Sequence, residues 1–113
     1  MKVTSRTLGE VVILDLDGKL TIGVGDVALR EALVAALDAG RTHLIVNLDQ
    51  VRNIDSSGLG ELIRCKATAA GRSAEVKLLH ANLKARKLLT MASLVGVFEL
   101  FDDENLAVES FSA

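Results

Sequence analysis

The sequence predicts an α/β fold: a small mixed sheet that begins as an antiparallel hairpin, continues with parallel strands, and packs with about four helices. Three observations lead there. Short apolar runs at Val11–Leu16, His43–Leu48 and Val76–His80 have the length and β-branched content of buried strands. Between them lie stretches of helical period, spaced as crossover connections require. The chain has 113 residues, half of them hydrophobic, with no Pro and no linker-like run, so the expectation is one domain over 1–113.

Each element has its own local reason. Lys2–Leu8 is polar and β-compatible, Gly9-Glu10 forms a turn, and Val11-Val12-Ile13-Leu14-Asp15-Leu16 returns as a largely buried strand. Asp26 is placed to cap a first helix, with Leu29, Leu33, Ala36 and Leu37 on one face and Gly40 at its end. A second helix is expected over Ser56–Ala70, stopping at Gly71. Its apolar face collects Leu59, Leu62, Ile63, Ala67 and Ala70; Ser57, Glu61, Arg64 and Thr68 fall on the opposite, solvated face. Lys66 fits that apolar sector poorly and is expected to snorkel, and Cys65 on the flank reads as an inert thiol. Asn82 caps a third helix carrying Leu83, Leu88 and Leu89. Val97-Phe98-Glu99-Leu100-Phe101 is a last strand, and Asp102-Asp103-Glu104 supplies negative charge to the start of a final short helix.

Composition excludes several functions. Three Phe, no Trp and no Tyr leave no base-stacking platform or aromatic cage. Thirteen basic against fifteen acidic residues, a net charge of −2, provide no footprint for nucleic acid or an acidic membrane. One Cys and two His make neither a structural zinc site nor a disulfide framework, which fits a reducing compartment. No apolar run reaches the roughly 18 residues of a membrane span, and Met1–Arg6 lacks the apolar stretch of a leader peptide. The expectation is a soluble, cytoplasmic domain with no cofactor, no metal, no direct nucleic-acid contact and no membrane insertion.

Chemistry in such a sheet gathers at the carboxyl ends of the parallel strands, here the segments Asp17–Gly25, Asp49–Asp55 and His80–Asn82. The most unusual of these runs into Asn53-Ile54-Asp55-Ser56-Ser57-Gly58-Leu59-Gly60, which follows a strand and opens a helix. Capping by Asp55, Ser56 or Ser57 accounts for one of the three polar residues but not for all of them together with two glycines. Glycines in a helix's first turns cost about 1 kcal/mol each against Ala, so their use is to let another backbone or a phosphate come close.

The motif Asp55-Ser56-Ser57-Gly58-Leu59-Gly60, between the strands Leu44–Leu48 and Val76–Leu79, resembles that of the bacterial anti-sigma factor antagonists of the STAS domain family. Gly18-Lys19-Leu20 and Phe98-Glu99-Leu100-Phe101-Asp102 extend the resemblance over nearly the whole chain. The resemblance implies a STAS-like fold and partner switching. In that family the domain, itself no enzyme, binds an anti-sigma factor that is also a serine kinase, and a sigma factor is released. The kinase then phosphorylates the serine after the motif Asp, here Ser56, and a separate phosphatase reverses the modification; Ser57 is the second candidate acceptor. The partner surface implied here comprises Lys19, Thr21, Asp55, Ser56, Ser57, Gly58, Glu61 and Arg64. Many members carry an acidic residue where Lys19 stands and an Asp where Thr21 stands, and they lack the run Gly23-Val24-Gly25.

Other readings have weaker support. A serine hydrolase using Ser56 and His80 lacks the Gly-x-Ser-x-Gly elbow, because Ile54 stands two before the serine. Gly23-Val24-Gly25-Asp26-Val27-Ala28 is a partial dinucleotide loop without an evident acidic ribose partner. Lys84, Arg86 and Lys87 read as a solvated helix face. A reading from another class keeps the fold and drops the switch: an accessory STAS subunit bound permanently in a transport or other regulatory complex.

Overall fold

The computed structural model describes residues 1–91 and 98–111. Lys2–Leu8 (β1) turns back on Val11–Leu20 (β2) through Gly9, whose φ of +61° suits a two-residue hairpin turn. Gly25–Asp38 (α1) leads to His43–Ile54 (β3), and Ser56–Ala70 (α2) leads to Glu75–Leu79 (β4). Leu83–Met91 (α3), Leu100–Phe101 (β5) and Glu104–Glu109 (α4) complete the chain.

The strands stand in chain order, β1-β2-β3-β4-β5, with the first pair antiparallel and the rest parallel. A sheet that always advances to the same side through right-handed crossovers collects its connecting helices on one face. Accordingly Leu14, Leu16, Val46, Leu48 and Leu78 meet Leu29 and Leu33 of α1, Leu62 of α2 and Leu89 of α3 in one core. The alternate residues Val11, Ile13, Ile45 and Leu79 face the other way and are covered by Ala107 of α4. The central strands are therefore apolar on both faces, as their unbroken apolar runs predict.

Above α4 the second face turns polar. Arg6 donates to Asp15 at 2.6 Å and also bridges to Glu104, tying β1 and β2 to α4. Lys77, 4% exposed, is held by the Ser110 hydroxyl at 2.7 Å and lies over the Phe111 ring at 4.2 Å.

Three sequence expectations change. β2 and β3 do not stop at Leu16 and Leu48; their polar continuations stay paired, Asp17 with Gln50 and Leu20 with Ile54, across two register shifts. Asp26 is not the cap of α1: the helix begins one residue earlier at Gly25, and the Thr21 carbonyl accepts from the N–H groups of Gly25 and Asp26. Gly71 ends α2 as expected, at φ −64°, and Ser73 after it takes a left-handed turn at φ +57°. The last strand is only Leu100–Phe101, with Phe98 buried before it and Val97 outside the described residues.

The caps at Asn82 and the acidic start of α4 are where the sequence puts them. Asn82 Oδ1 accepts from the Ala85 N–H at 2.8 Å, and Asp103 Oδ1 from the Leu106 N–H at 2.9 Å. In α3, Leu89 is buried and Leu83 is 83% exposed.

Candidate functional site

Because β3 runs to Ile54 and α2 starts at Ser56, the strand-to-helix junction is the single residue Asp55. Its backbone is extended (φ −113°, ψ −177°), so the chain turns the corner here. The Asp55 side chain does two jobs. Oδ1 accepts from the Gly58 N–H at 2.8 Å, closing the helix cap, and Oδ2 accepts from the Ile22 N–H at 3.1 Å, holding the loop after β2. The Gly58 and Ile22 N–H groups, in that order, hold the Asp55 carboxyl below the ordinary carboxylate range, so it is a fixed negative charge at neutral pH.

With Asp55 as the cap, neither serine is needed for capping. Ser56 is the first residue of α2 and exposed; Ser57 follows it, half-buried. Ser56 therefore presents a hydroxyl at the positive end of a 15-residue helix with no capping duty. Gly58 is buried: a Cβ there would stand 2.0 Å from the Leu20 carbonyl oxygen, so this glycine admits a backbone, not a phosphate. Gly60 has no such neighbour, since nothing lies within 4 Å of its would-be Cβ. It sits one turn after Ser56 on the same side of the helix and leaves that side low.

A family model described as Mlab, STAS domain matches residues 3–101. The chain belongs to the STAS domain family. Solved structures agree on the fold. A Thermotoga maritima protein assigned as an anti-sigma factor antagonist is 20% identical, with 98% of this chain and 95% of that one covered and a TM-score of 0.89. The Bacillus cell fate determinant SpoIIAA in its phosphorylated form is 21% identical over 97% of this chain and 99% of its own, with a TM-score of 0.75. A sulfate transporter family protein from Wolinella succinogenes is 18% identical over 87% and 81%, with a TM-score of 0.68.

This STAS domain gathers some of the candidate partner residues at one edge and withdraws others. Lys19 lies next to Leu20 and pairs in register with Asn53, and Thr21 supplies the carbonyl that caps α1, so both adjoin Asp55 and Ser56. Glu61 is corrected: it is 2% exposed, not on a solvated face. Its Oε1 accepts from Arg30 of α1 at 2.6 Å and lies 3.6 Å from Arg64 Nε, which makes it a tie between helices. Arg64 itself is 62% exposed. Ala67 and Ala70 are exposed where the sequence places them on the apolar face, and Cys65 and Ala69 are buried instead. Gly58 approaches the Leu20 backbone closely and is buried on α2 together with Leu62, Cys65 and Ala69.

Smaller puzzles resolve. Lys66 is half-buried with its ammonium 5.6 Å from the Phe98 ring centre, a cation–π contact at the edge of the core. Burial, then the Glu61 charge, push the Cys65 thiol up to about 12, so it is a buried, unreactive group. His80 is not brought to Ser56. It stands one residue past β4 and donates its N–H to the Phe101 carbonyl at 2.8 Å, on the β5 side of the sheet. Lys84 binds Asn53 Oδ1 at 2.7 Å and Arg86 binds Asp102 at 2.8 Å, so two of the three cations on α3 are ties within the fold.

Two features escaped the sequence. Ile22 and Val24 are 71% and 64% exposed in the short loop that Asp55 holds. Leu83 is equally bare at the entrance of α3, which is tied to β3 through Asn82 Nδ2 and the Val51 carbonyl at 3.3 Å. The available signal was their setting: Ile22 and Val24 alternate with glycines in a run that fits neither helical nor strand period. Among the described residues no group of His, Cys, Asp and Glu is placed to hold a metal, and no helix is long and apolar enough to cross a membrane.

Proposed function

We propose that this domain is an anti-sigma factor antagonist that works as a phosphorylation-controlled binding module and performs no catalysis itself. Unmodified, it docks a serine-kinase-type anti-sigma factor through the edge around Ser56 and so frees a sigma factor for transcription. Phosphorylation of Ser56 releases the partner, and a protein phosphatase restores binding. One observation carries this reading: Asp55 takes the cap, which leaves an exposed serine hydroxyl at the helix entrance with no structural duty.

A phosphate there adds roughly −1.5 to −2 charges and strong acceptor oxygens. The helix end offers N–H groups and a positive pole, so the fold tolerates the group. Asp55 stands next to it as a fixed carboxylate, and a partner packed against both must desolvate the added charge or leave. The modification acts on the binding equilibrium and leaves the fold in place.

The test combines the purified chain with a kinase-type anti-sigma factor and ATP. One phosphate on Ser56 is expected by mass spectrometry, with Ser56→Ala binding constitutively and Ser56→Asp binding weakly. Retention of the kinase by Ser56→Asp at wild-type affinity overturns the switch.

The likeness to a sulfate transporter family protein favours a second reading, a non-switching accessory subunit of a transport or other regulatory complex. That subunit binds its partner equally well with Ser56, Ala or Asp at this position, so the same three variants decide between the readings.

A further inference from the structure

We propose that the partner which docks on Ser56 presents an acidic group beside an apolar socket, received here by a basic hollow and the exposed pair Ile22 and Val24. This rests on the reading of Ser56 as the centre of a partner-binding edge. The hollow is open, about 530 Å³, and is lined by Lys2, Lys19, Arg52, Asp17, Thr21 and Val24 among others. Three of these side chains are cationic and one is anionic. The carboxylate of Asp17 is 3.9 Å from Arg52, with the two side chains 61% and 71% exposed, so it offsets one cation and leaves two in excess in the hollow. A chain of net charge −2 thus turns positive at this place.

The hollow is continuous with the serine's edge. Thr21 and Val24 line it and flank Ile22, whose N–H is held by Asp55, the residue before Ser56. Lys19 pairs in register with Asn53, and Arg52 lies three residues before Asp55 on β3. Exposed apolar side chains next to a local charge excess form the usual layout of an interface centre and its charged rim. Nucleic acid is a poor match, because a few cations and no aromatic platform cannot track a phosphate backbone. Charge complementarity selects a protein surface carrying Asp or Glu.

The experiment uses the full chain and the kinase shown by mass spectrometry to phosphorylate Ser56. Lys19→Glu combined with Arg52→Glu is expected to weaken binding roughly tenfold, mainly through slower association, and to flatten its salt dependence. Ile22→Ser combined with Val24→Ser is expected to weaken it by a similar factor through faster dissociation, with the salt dependence kept. A carbodiimide, which joins amines to carboxylates in contact, is expected to link Lys2 or Lys19 to an Asp or Glu of the kinase. All variants lie at exposed positions, and unchanged melting temperatures confirm that they fold. Unaltered affinity, association rate and salt slope in the charge-reversed variant overturn the proposal while leaving the Ser56 switch standing. Charge-dependent binding to anionic vesicles or to DNA, with none to the kinase, also overturns it. If no kinase modifies Ser56, the switch and this proposal fall together.

Discussion

Helices α1 and α2 enter the fold side by side, and both press a glycine against the end of β2. A Cβ at Gly25 would stand 2.3 Å from the Lys19 carbonyl oxygen, and one at Gly58 2.0 Å from that of Leu20. The packing demand is the same, but the entrances differ. In α1 the glycine is the first residue, the cap position is Val24, and no side chain closes the helix. In α2 the glycine is the third residue, so two residues precede it inside the helix, and Asp55 closes the cap from outside. That offset of two residues places Ser56 and Ser57 on the positive pole. The α1 entrance instead contributes its loop, with Ile22 and Val24 turned to solvent. One close-packed strand end thus supports two unlike surfaces, an exposed hydroxyl and an apolar knob, joined by the Asp55 carboxylate.

The comparison breaks most severely at the glycines. Gly58→Ala is expected to cost roughly 3 kcal/mol or more, because its methyl meets backbone that has no rotamer to yield. Gly25→Ala should cost somewhat less, and urea unfolding of both variants tests the order. If either substitution is neutral, the close approach is not what those glycines provide.

Removing Asp55 comes next. Asp55→Ala is expected to lower the melting temperature by roughly 5 °C through the lost cap. It also unties Ile22, so backbone amide exchange should quicken at Ile22 and at Gly58 together. The pH dependence has a definite sign. The folded Asp55 carboxyl lies below its ordinary value, so its contribution is complete above about pH 4 and fades as pH falls through the depressed folded value. Asp55→Asn should flatten that acid limb, which thermal melts across pH 2–6 would record as a roughly constant gap closing at low pH.

The smallest effect sharpens the contrast between Gly58 and Gly60. Gly60→Ala fills open space and is expected to stabilise the domain by about 0.5–1 kcal/mol. If the low helix side beside Ser56 serves the partner's approach, the same variant is phosphorylated severalfold more slowly. Greater stability with an unchanged phosphorylation rate assigns Gly60 no role at the interface.

Much of the molecule was legible beforehand for local reasons. Alternation of apolar runs with helical periods located the strands and helices, and α2 starts and ends where Ser56 and Ala70 put it. Asn82 announces its own cap, and Asp103 lies in the acidic run that starts α4, because a short polar side chain before a helical period has one good use. The residues at the centre of the proposed switch, Asp55 and Ser56, were visible as a motif. Their division of labour was not: any of three polar side chains could have capped the helix, and only the extended backbone of a one-residue junction assigns the cap to Asp55.

Tertiary structure decided the rest, and the physical reason is shared. Periodicity weighs side chains, so it cannot register a glycine whose value lies in having none. In α2, whose Gly58 packs on the Leu20 backbone, Glu61 is buried against Arg30 while Ala67 and Ala70 are exposed. Strand length depends on pairing partners, so the polar ends of β2 and β3 became strand only when they met each other. Ile22 and Val24 stay exposed because the turn from Leu20 into Gly25 leaves no core for them to reach. The sequence by itself determined the α/β order and the serine at a helix entrance; the three-dimensional packing determined which surface surrounds that serine.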